Sequence, residues 1–427
     1  MTAIRWTVSL LGIALLASAC SAAPLSASDG SEIASQKADL EVSAESLETP
    51  PAEIPPLPQH TTTADGTYGE CDDPFKGSTP RFNPRSWETN FCLHSIDYDE
   101  ILSGGPPRDG IPPIDSPIFE SVTSADAWLD NREPVIALIL DDDVRAYPIQ
   151  VLTWHEIVND KVTNLPIVVT FCPLCNTGLV FKRPTIDGET LTFGTSGNLR
   201  NSDLVMWDRQ TESWWQQFSG EAIVGDLTGT KLTFLPSSII AWGDFKDKYP
   251  GGQVLSTDTG YTRDYGRNPY AGYDNVDSNP FLFDGITDER LRPMERVIGI
   301  LLDSGQGQAY TLQNLSEKRF IQDSLGETPF VIFWKAGTAS ALDSSNIASG
   351  NDIGAVGVYE TKLDNEVLLF TANADGTFSD DNTGSTWDIF GQAIEGPLNG
   401  KSLTPITHHD TFWFAWAAFV SPDTLIE

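Results

Sequence analysis

The sequence predicts an α+β, β-rich protein built from two tandem homologous units packed as a pseudo-dimer, each with short strands and one C-terminal helix. Three observations carry this. Runs of β-branched and aromatic residues alternate with Gly, Asn, Asp and Thr, the pattern of short strands joined by turns. Segments of one half of the chain reappear in the other half in the same order. Near the end of each half, aromatic residues fall at helical spacing.

The chain has 427 residues, enough for a large core and several domains. Residues 1–20 read as a secretory signal: Arg5, an apolar run from Val8 to Leu16, then Ala17-Ser18-Ala19-Cys20. The apolar run is too short to span a bilayer. Cysteine after small residues is the form of a bacterial lipobox, with Cys20 as the lipidated residue. Ala17 stands where Leu is commoner, so cleavage without lipidation stays open. Residues 21–68 are rich in Ser, Ala, Glu, Thr and Pro and form a disordered tether. The expected location is extracytoplasmic, with the lipid as the one link to the membrane.

The formal charge of −34 argues against nucleic acid as a partner. In an oxidising compartment cysteines pair by default. Cys71 and Cys92, 21 residues apart in the entry region 69–129, are the expected structural disulfide.

Unit A (130–256) and unit B (292–427) follow from three matches. V-I-A-L-I-L-D at 135–141, followed by Ala146-Tyr147, recurs as V-I-G-I-L-L-D at 297–303, followed by Ala309-Tyr310. P-I-V-V-T-F (166–171) recurs as P-F-V-I-F-W (329–334). Residues 211–232 match 383–403, with identities that include Thr211, Ser213, Trp215, Phe218 and Gly225. Helices are expected over Ser237 to Lys248 and Asp410 to Val420, with Ser237 and Asp410 as N-caps. Such a duplication satisfies internally the need for a dimer, so a monomer with internal pseudo-symmetry is expected.

Reactive residues present in only one unit are candidates for a site. His155, Cys172 and Cys175 align with Lys318, Lys335 and Thr338. The pair sits in C-P-L-C-N-T-G, between apolar strand-like runs, where a hairpin is expected rather than the helix of a thioredoxin-like motif. A C-P-x-C turn in a hairpin is the form of a metal knuckle. Further ligands for one zinc or copper ion are sought in His408, His409 and, for copper, Met206. A dithiol that cycles and a plain disulfide both remain open for Cys172 and Cys175.

A second constellation, Arg200, Asn201, Asp203, Asp208, Arg209, Glu212 and Trp215, is dense in polar groups beside tryptophans and suits a ligand-binding wall. An ion pair that merely orders a turn fits the same residues. The connector 257–291 contains R-D-Y-G-R-N-P-Y-A-G-Y, a candidate lid or a packed crossover. No G-x-S-x-G elbow, phosphate loop, dinucleotide fingerprint or H-E-x-x-H helix is present, so hydrolase and nucleotide readings lack support.

The segments A-Y-P-I-Q-V-L-T-W-H-E-I-V-N-D, V-T-F-C-P-L-C-N-T-G-L-V-F-K-R, S-G-N-L-R-N-S-D-L-V-M-W-D-R-Q-T-E-S-W-W-Q, R-D-Y-G-R-N-P-Y and F-W-F-A-W-A-A-F-V-S-P-D-T resemble a prokaryotic family catalogued only as a domain of unknown function. The resemblance covers about 95–427. It implies an extracytoplasmic setting and the importance of the C-P-L-C-N-T-G turn, and it does not choose between metal and disulfide. Two functional expectations follow. One is a lipoprotein with a single thiol-centred site, binding a transition metal or cycling as a dithiol. The other is a non-catalytic module that holds a small molecule or an extracytoplasmic protein on the Arg200–Trp215 wall and the 263–273 connector.

Overall fold

The computed structural model describes residues 61–62, 68–69, 71, 73–302, 305–420 and 424–426. The expected signal peptide with Cys20, and residues 21–60 of the expected tether, lie outside the described residues. At the far end of that tether, Thr61–Thr62 pairs antiparallel with Tyr68–Gly69. The Cys71–Cys92 disulfide is formed, with its Cα atoms 5.9 Å apart. Beyond it, Phe82, Trp87 and Phe91 pack on Trp214, with Phe75 and Tyr98 against Phe82 and Phe91, in an aromatic cluster that binds the entry region to the sheets behind it.

The fold is α+β and β-rich. Strands β1 (Pro134–Leu140) and β2 (Asp143–Pro148) form a hairpin. Val135 to Leu138 are all buried, which explains an unbroken apolar run where a half-exposed strand would alternate. Pro148 occupies the N-cap position of the short helix α1 (Ile149–His155) without a capping hydrogen bond. Glu156, at φ +59°, turns the chain into the meander β3 (Ile157–Val162), β4 (Leu165–Cys172) and β5 (Thr177–Lys182). A second meander follows: β6 (Phe193–Arg200), β7 (Asp203–Asp208), β8 (Trp214–Gln216) and β9 (Glu221–Val224). Strand β10 (Ser238–Ala241) returns antiparallel to β1, helix α2 (Trp242–Lys248) follows, and β11 (Gln253–Leu255) lies parallel to β2.

The same order and the same strand senses recur downstream. Strands β12 (Arg296–Leu301) and β13 (Gly307–Thr311) form a hairpin followed by helix α3 (Leu312–Lys318). Next come β14 (Phe320–Leu325), β15 (Thr328–Lys335) and β16 (Ala355–Glu360). A four-stranded meander follows: β17 (Phe370–Ala372), β18 (Phe378–Asp380), β19 (Thr386–Trp387) and β20 (Ala393–Glu395). Strand β21 (His408–Phe412) is antiparallel to β12, helix α4 (Trp413–Phe419) follows, and β22 (Thr424–Ile426) is parallel to β13. One apolar core contains residues of both stretches, among them Phe171, Val180 and Trp215 with Val297, Phe412 and Trp416.

Two helix expectations are corrected. Ser238–Ala241 and His408–Phe412 are strands, so the helices begin at Trp242 and Trp413, with Ala241 and Phe412 in the N-cap positions of Ser237 and Asp410. Ile239 and Ile240 face Ile136 and Val135 across the sheet, and that pairing overrides local helical spacing. Each stretch also carries an earlier helix, α1 or α3, so one helix per unit is too few.

One local motif recurs atom for atom. Asp208 Oδ2 accepts from Trp215 Nε1 at 2.9 Å and from Thr211 Oγ1 at 2.9 Å, and Ser213 Oγ accepts from the Leu227 N–H at 3.1 Å. Asp380, Trp387, Thr383, Ser385 and Leu398 repeat this at 2.9, 2.9 and 3.0 Å. Each aspartate satisfies a buried indole N–H and ties a turn. Asp208→Ala and Asp380→Ala should therefore each lower unfolding stability in denaturant titrations by roughly 1–3 kcal/mol, the cost of leaving a buried donor without an acceptor. Unchanged midpoints would mean that water replaces the carboxylate at no cost.

Candidate metal centre

Strands β4 and β5 close at the pair Cys172↔Thr177, leaving residues 173–176 in the turn. Asn176 closes that turn at φ +57°, a left-handed conformation that asparagine tolerates better than most residues. The turn is gripped from the second half of the chain. Thr411 Oγ1 donates to the Cys175 carbonyl at 2.9 Å, and the Phe412 N–H donates to the same oxygen at 3.2 Å. Asn176 Nδ2 donates to Asp410 Oδ1 at 2.9 Å. Strand β21 thus fixes the turn as a hairpin whose sulfurs are held on one side.

Opposite the sulfurs lies the hairpin of β6 and β7. Its two-residue loop, Asn201-Ser202, has φ +48° and φ +64°, positive at both positions as a type I′ turn requires. The loop brings the Ser202 carbonyl to the thiols, 3.5 Å from Cys175 Sγ and 4.0 Å from Cys172 Sγ. It also places Asp203 beside them. The two sulfurs and one carboxylate oxygen of Asp203 lie within 4.8 Å of one another. Cys172 is 2% exposed, and Cys175 and Asp203 are fully buried. Asp203 Oδ2 accepts from the Phe218 N–H at 3.0 Å and from Gln216 Nε2, Oδ1 is buried with no nitrogen or hydroxyl donor, and the carboxyl also takes hydrogen bonds from the Cys175 and Cys172 thiols.

Burial raises the Cys172 thiol above its ordinary range and the Cys175 thiol well above it. Burial pushes Asp203 up to about 6, against hydrogen bonds that favour its charged form. Glu156 is pushed up to about 8 by burial and then by Asp203. The charged groups acting on the thiols are these same acids. Two thiols and a carboxylate oxygen are the donor types of zinc and copper sites, and this group could hold a metal ion. A bound cation would stabilise the deprotonated ligands that burial now disfavours. Thiol exchange is a poorer fit, since it needs an accessible thiolate.

The matching positions of the second half are charged differently. Lys335 ends β15 as Cys172 ends β4, and Arg319 caps α3 at φ +71° as Glu156 caps α1. Asp375 precedes Asp380 by the interval that separates Asp203 from Asp208. Its carboxyl is held below the usual range, first by hydrogen bonds from Thr377 and also by Lys335. The second half thus supplies an ammonium where the first half has sulfur.

Residues 108–424 match the family described as Protein of unknown function (DUF3179), about three quarters of the chain. The chain belongs to that family. The C-P-L-C hairpin, the Asn201-Ser202 turn and the gripping strand β21 all fall within the part that defines membership of DUF3179. No curated protein and no solved structure matches the chain.

The other predicted residues have other partners. His155 is buried, with Nδ1 2.7 Å from the Pro112 carbonyl and Nε2 2.7 Å from Tyr265 Oη, so both nitrogens are engaged away from the sulfurs. His408 Nδ1 donates to the Ile406 carbonyl at 3.1 Å. His409 stacks on Phe218 and donates through Nε2 to its carbonyl at 3.1 Å. Met206 is buried in β7, paired with Trp215 across the sheet. In the expected wall, Arg200 pairs with Glu100 at 2.6 Å, Arg209 with Asp115 at 3.1 Å and Asp109 at 3.3 Å, and Glu212 with Arg108 at 2.7 Å. Glu212 also accepts from the Glu88 N–H at 2.7 Å. This wall binds the chain's own entry region, while Asp208 and Trp215 form the turn motif described above. Asn201 belongs to the turn that aims Ser202 at the thiols. Sequence reasoning put Asp203 with the wall and missed Glu156 and Ser202. The N-S-D turn, matched by N-A-D at 373–375, was the available signal.

Burial lowers His409 from 6.5 to about 4. The folded chain therefore keeps it neutral while the unfolded chain protonates it near its ordinary value. Its contribution to stability is present above about pH 6.5 and is lost as pH falls towards 4, up to about 3 kcal/mol. In His409→Gln the fall in unfolding free energy between pH 7 and 4 should be smaller by about that amount. An unchanged pH profile would show that this histidine does not drive acid destabilisation.

Proposed function

We propose that this chain is an extracytoplasmic, lipid-anchored metalloprotein holding one zinc or copper ion on Cys172, Cys175 and Asp203. The observation that carries the reading is the gathering of two buried thiols and a buried carboxylate oxygen of Asp203 within 4.8 Å of one another, in a place where the charged neighbours are acidic. Acids that burial keeps protonated can give up their protons to a cation that joins them. The location rests on the basic, apolar and small-residue order of residues 1–20 with Cys20, and the Cys71–Cys92 disulfide suits an oxidising compartment. Among the described residues no helix is long and apolar enough to cross a membrane.

The recurrence of connectivity and of the Asp208 and Asp380 motifs favours a tandem duplication packed as a pseudo-dimer within one chain. The two thiols belong to its first unit alone, with Lys335 and Thr338 in their places in the second, where Asp375 stands at the position of Asp203. The strong negative charge disfavours nucleic acid and leaves the membrane lipid and any extracytoplasmic protein as partners.

Full-length protein, exported and purified, should carry about one zinc or copper ion per chain by mass spectrometry. Cys172→Ser and Cys175→Ser should each lose it, and Asp203→Asn should weaken it. Metal content unchanged in both cysteine variants would defeat the reading. A metal-free wild type with no free thiol would make the pair a disulfide instead.

A further inference from the structure

The residues that hold the metal donors are themselves bridged by one segment of the connector. Tyr273 Oη donates to the Leu174 carbonyl, inside the C-P-L-C turn, at 3.1 Å. The Phe281 N–H donates to Tyr273 Oη at 3.3 Å, and Ser202 Oγ donates to the Phe281 carbonyl. Residues 273–281 therefore touch both ligand-bearing turns, the one with Cys172 and Cys175 and the one with Ser202-Asp203. The segment is anchored on the outside as well: the Gly272 N–H donates to the Asp343 carbonyl at 2.6 Å, and the Tyr273 N–H donates to the Leu342 carbonyl at 3.1 Å.

Ser202 has a conformational reason to be something else. At φ +64° in the second position of a type I′ turn, glycine is the favoured residue. A serine there bears a backbone cost, and what it adds over glycine is the hydroxyl that reaches Phe281. Tyr273 is likewise buried, with its hydroxyl placed between the two turns.

Resting on the metal reading above, we propose that Tyr273 and Ser202 are positioning residues that lock the two ligand-bearing turns together, so that the metal is a resident, slowly exchanging ion rather than a cargo handed on. Three consequences of the arrangement support this. The donors are closed to water, so the ion leaves only when the turns part. The lock joins the turns by hydrogen bonds to backbone carbonyls, which leaves the donor atoms free. Both lock residues can be changed without altering a donor.

The test uses the full-length protein loaded with zinc and transferred into excess chelator. Tyr273→Phe and Ser202→Gly should bind zinc more weakly and release it about ten- to a hundredfold faster than wild type, the usual range for outer partners of metal ligands. Ser202→Gly is the sharper variant, because relief of the turn should leave the stability of the metal-free chain equal or higher while release still accelerates. It also stands in should Tyr273→Phe fail to fold. Zinc bound and released at the wild-type rate by Ser202→Gly overturns the lock alone. A wild-type chain that takes up neither zinc nor copper, or a Cys175→Ser chain that retains the metal, overturns the metal centre and the lock together.

Discussion

Two thiols and a carboxylate share a space closed to water, and the charged groups that act on the thiols are themselves acidic. Such a grouping is costly unless its members stay protonated or a cation joins them. Much of the first half of the chain serves to hold it together. The β4–β5 hairpin supplies the sulfurs, the β6–β7 hairpin supplies Asp203, and the end of α1 adds Glu156 behind them. Three separate pieces of backbone converge because the strands that carry them share one core.

The second half of the chain contributes rigidity instead of donors. Thr411, Phe412 and Asp410 of β21 bind the Cys175 carbonyl and Asn176, so the sulfur turn is set by a strand more than two hundred residues away in sequence. Where the first half has Cys172 and Glu156, the second has Lys335 and Arg319, and its aspartate at 375 lies near an ammonium. The two carboxylates differ in setting: Asp203 is fully buried beside the thiols, whereas Asp375 is exposed and the Lys335 ammonium near it pairs with Asp244 at 2.6 Å.

The strands and the hairpin nature of the C-P-L-C turn were legible in the sequence, because runs such as P-I-V-V-T-F and L-V-F-K flank the cysteines with only a tight turn between them. The recurrence was legible because the same apolar and aromatic positions pack in both stretches. What was not legible depended on contacts distant in sequence. His155 looked like a ligand because its counterpart is a lysine, yet its nitrogens are satisfied by Pro112 and Tyr265, 43 and 110 residues away. Asp203 looked like part of a polar wall, because nothing local shows that the Asn201-Ser202 turn carries it to the sulfurs. The arginines beside it looked available until the entry region brought them Glu100, Asp109 and Asp115. The helix starts were misplaced for the same reason: Ile239 and Ile240 are strand residues only because Ile136 and Val135 lie opposite them.

The most direct measurement is X-ray absorption at the metal edge of the zinc-loaded, full-length chain. The account predicts a sulfur shell of two scatterers at about 2.3 Å with oxygen completing the sphere, the distances of zinc bound by thiolate and carboxylate. A shell of nitrogen and oxygen alone, or one that carries the outer scattering of histidine rings without sulfur, would contradict it.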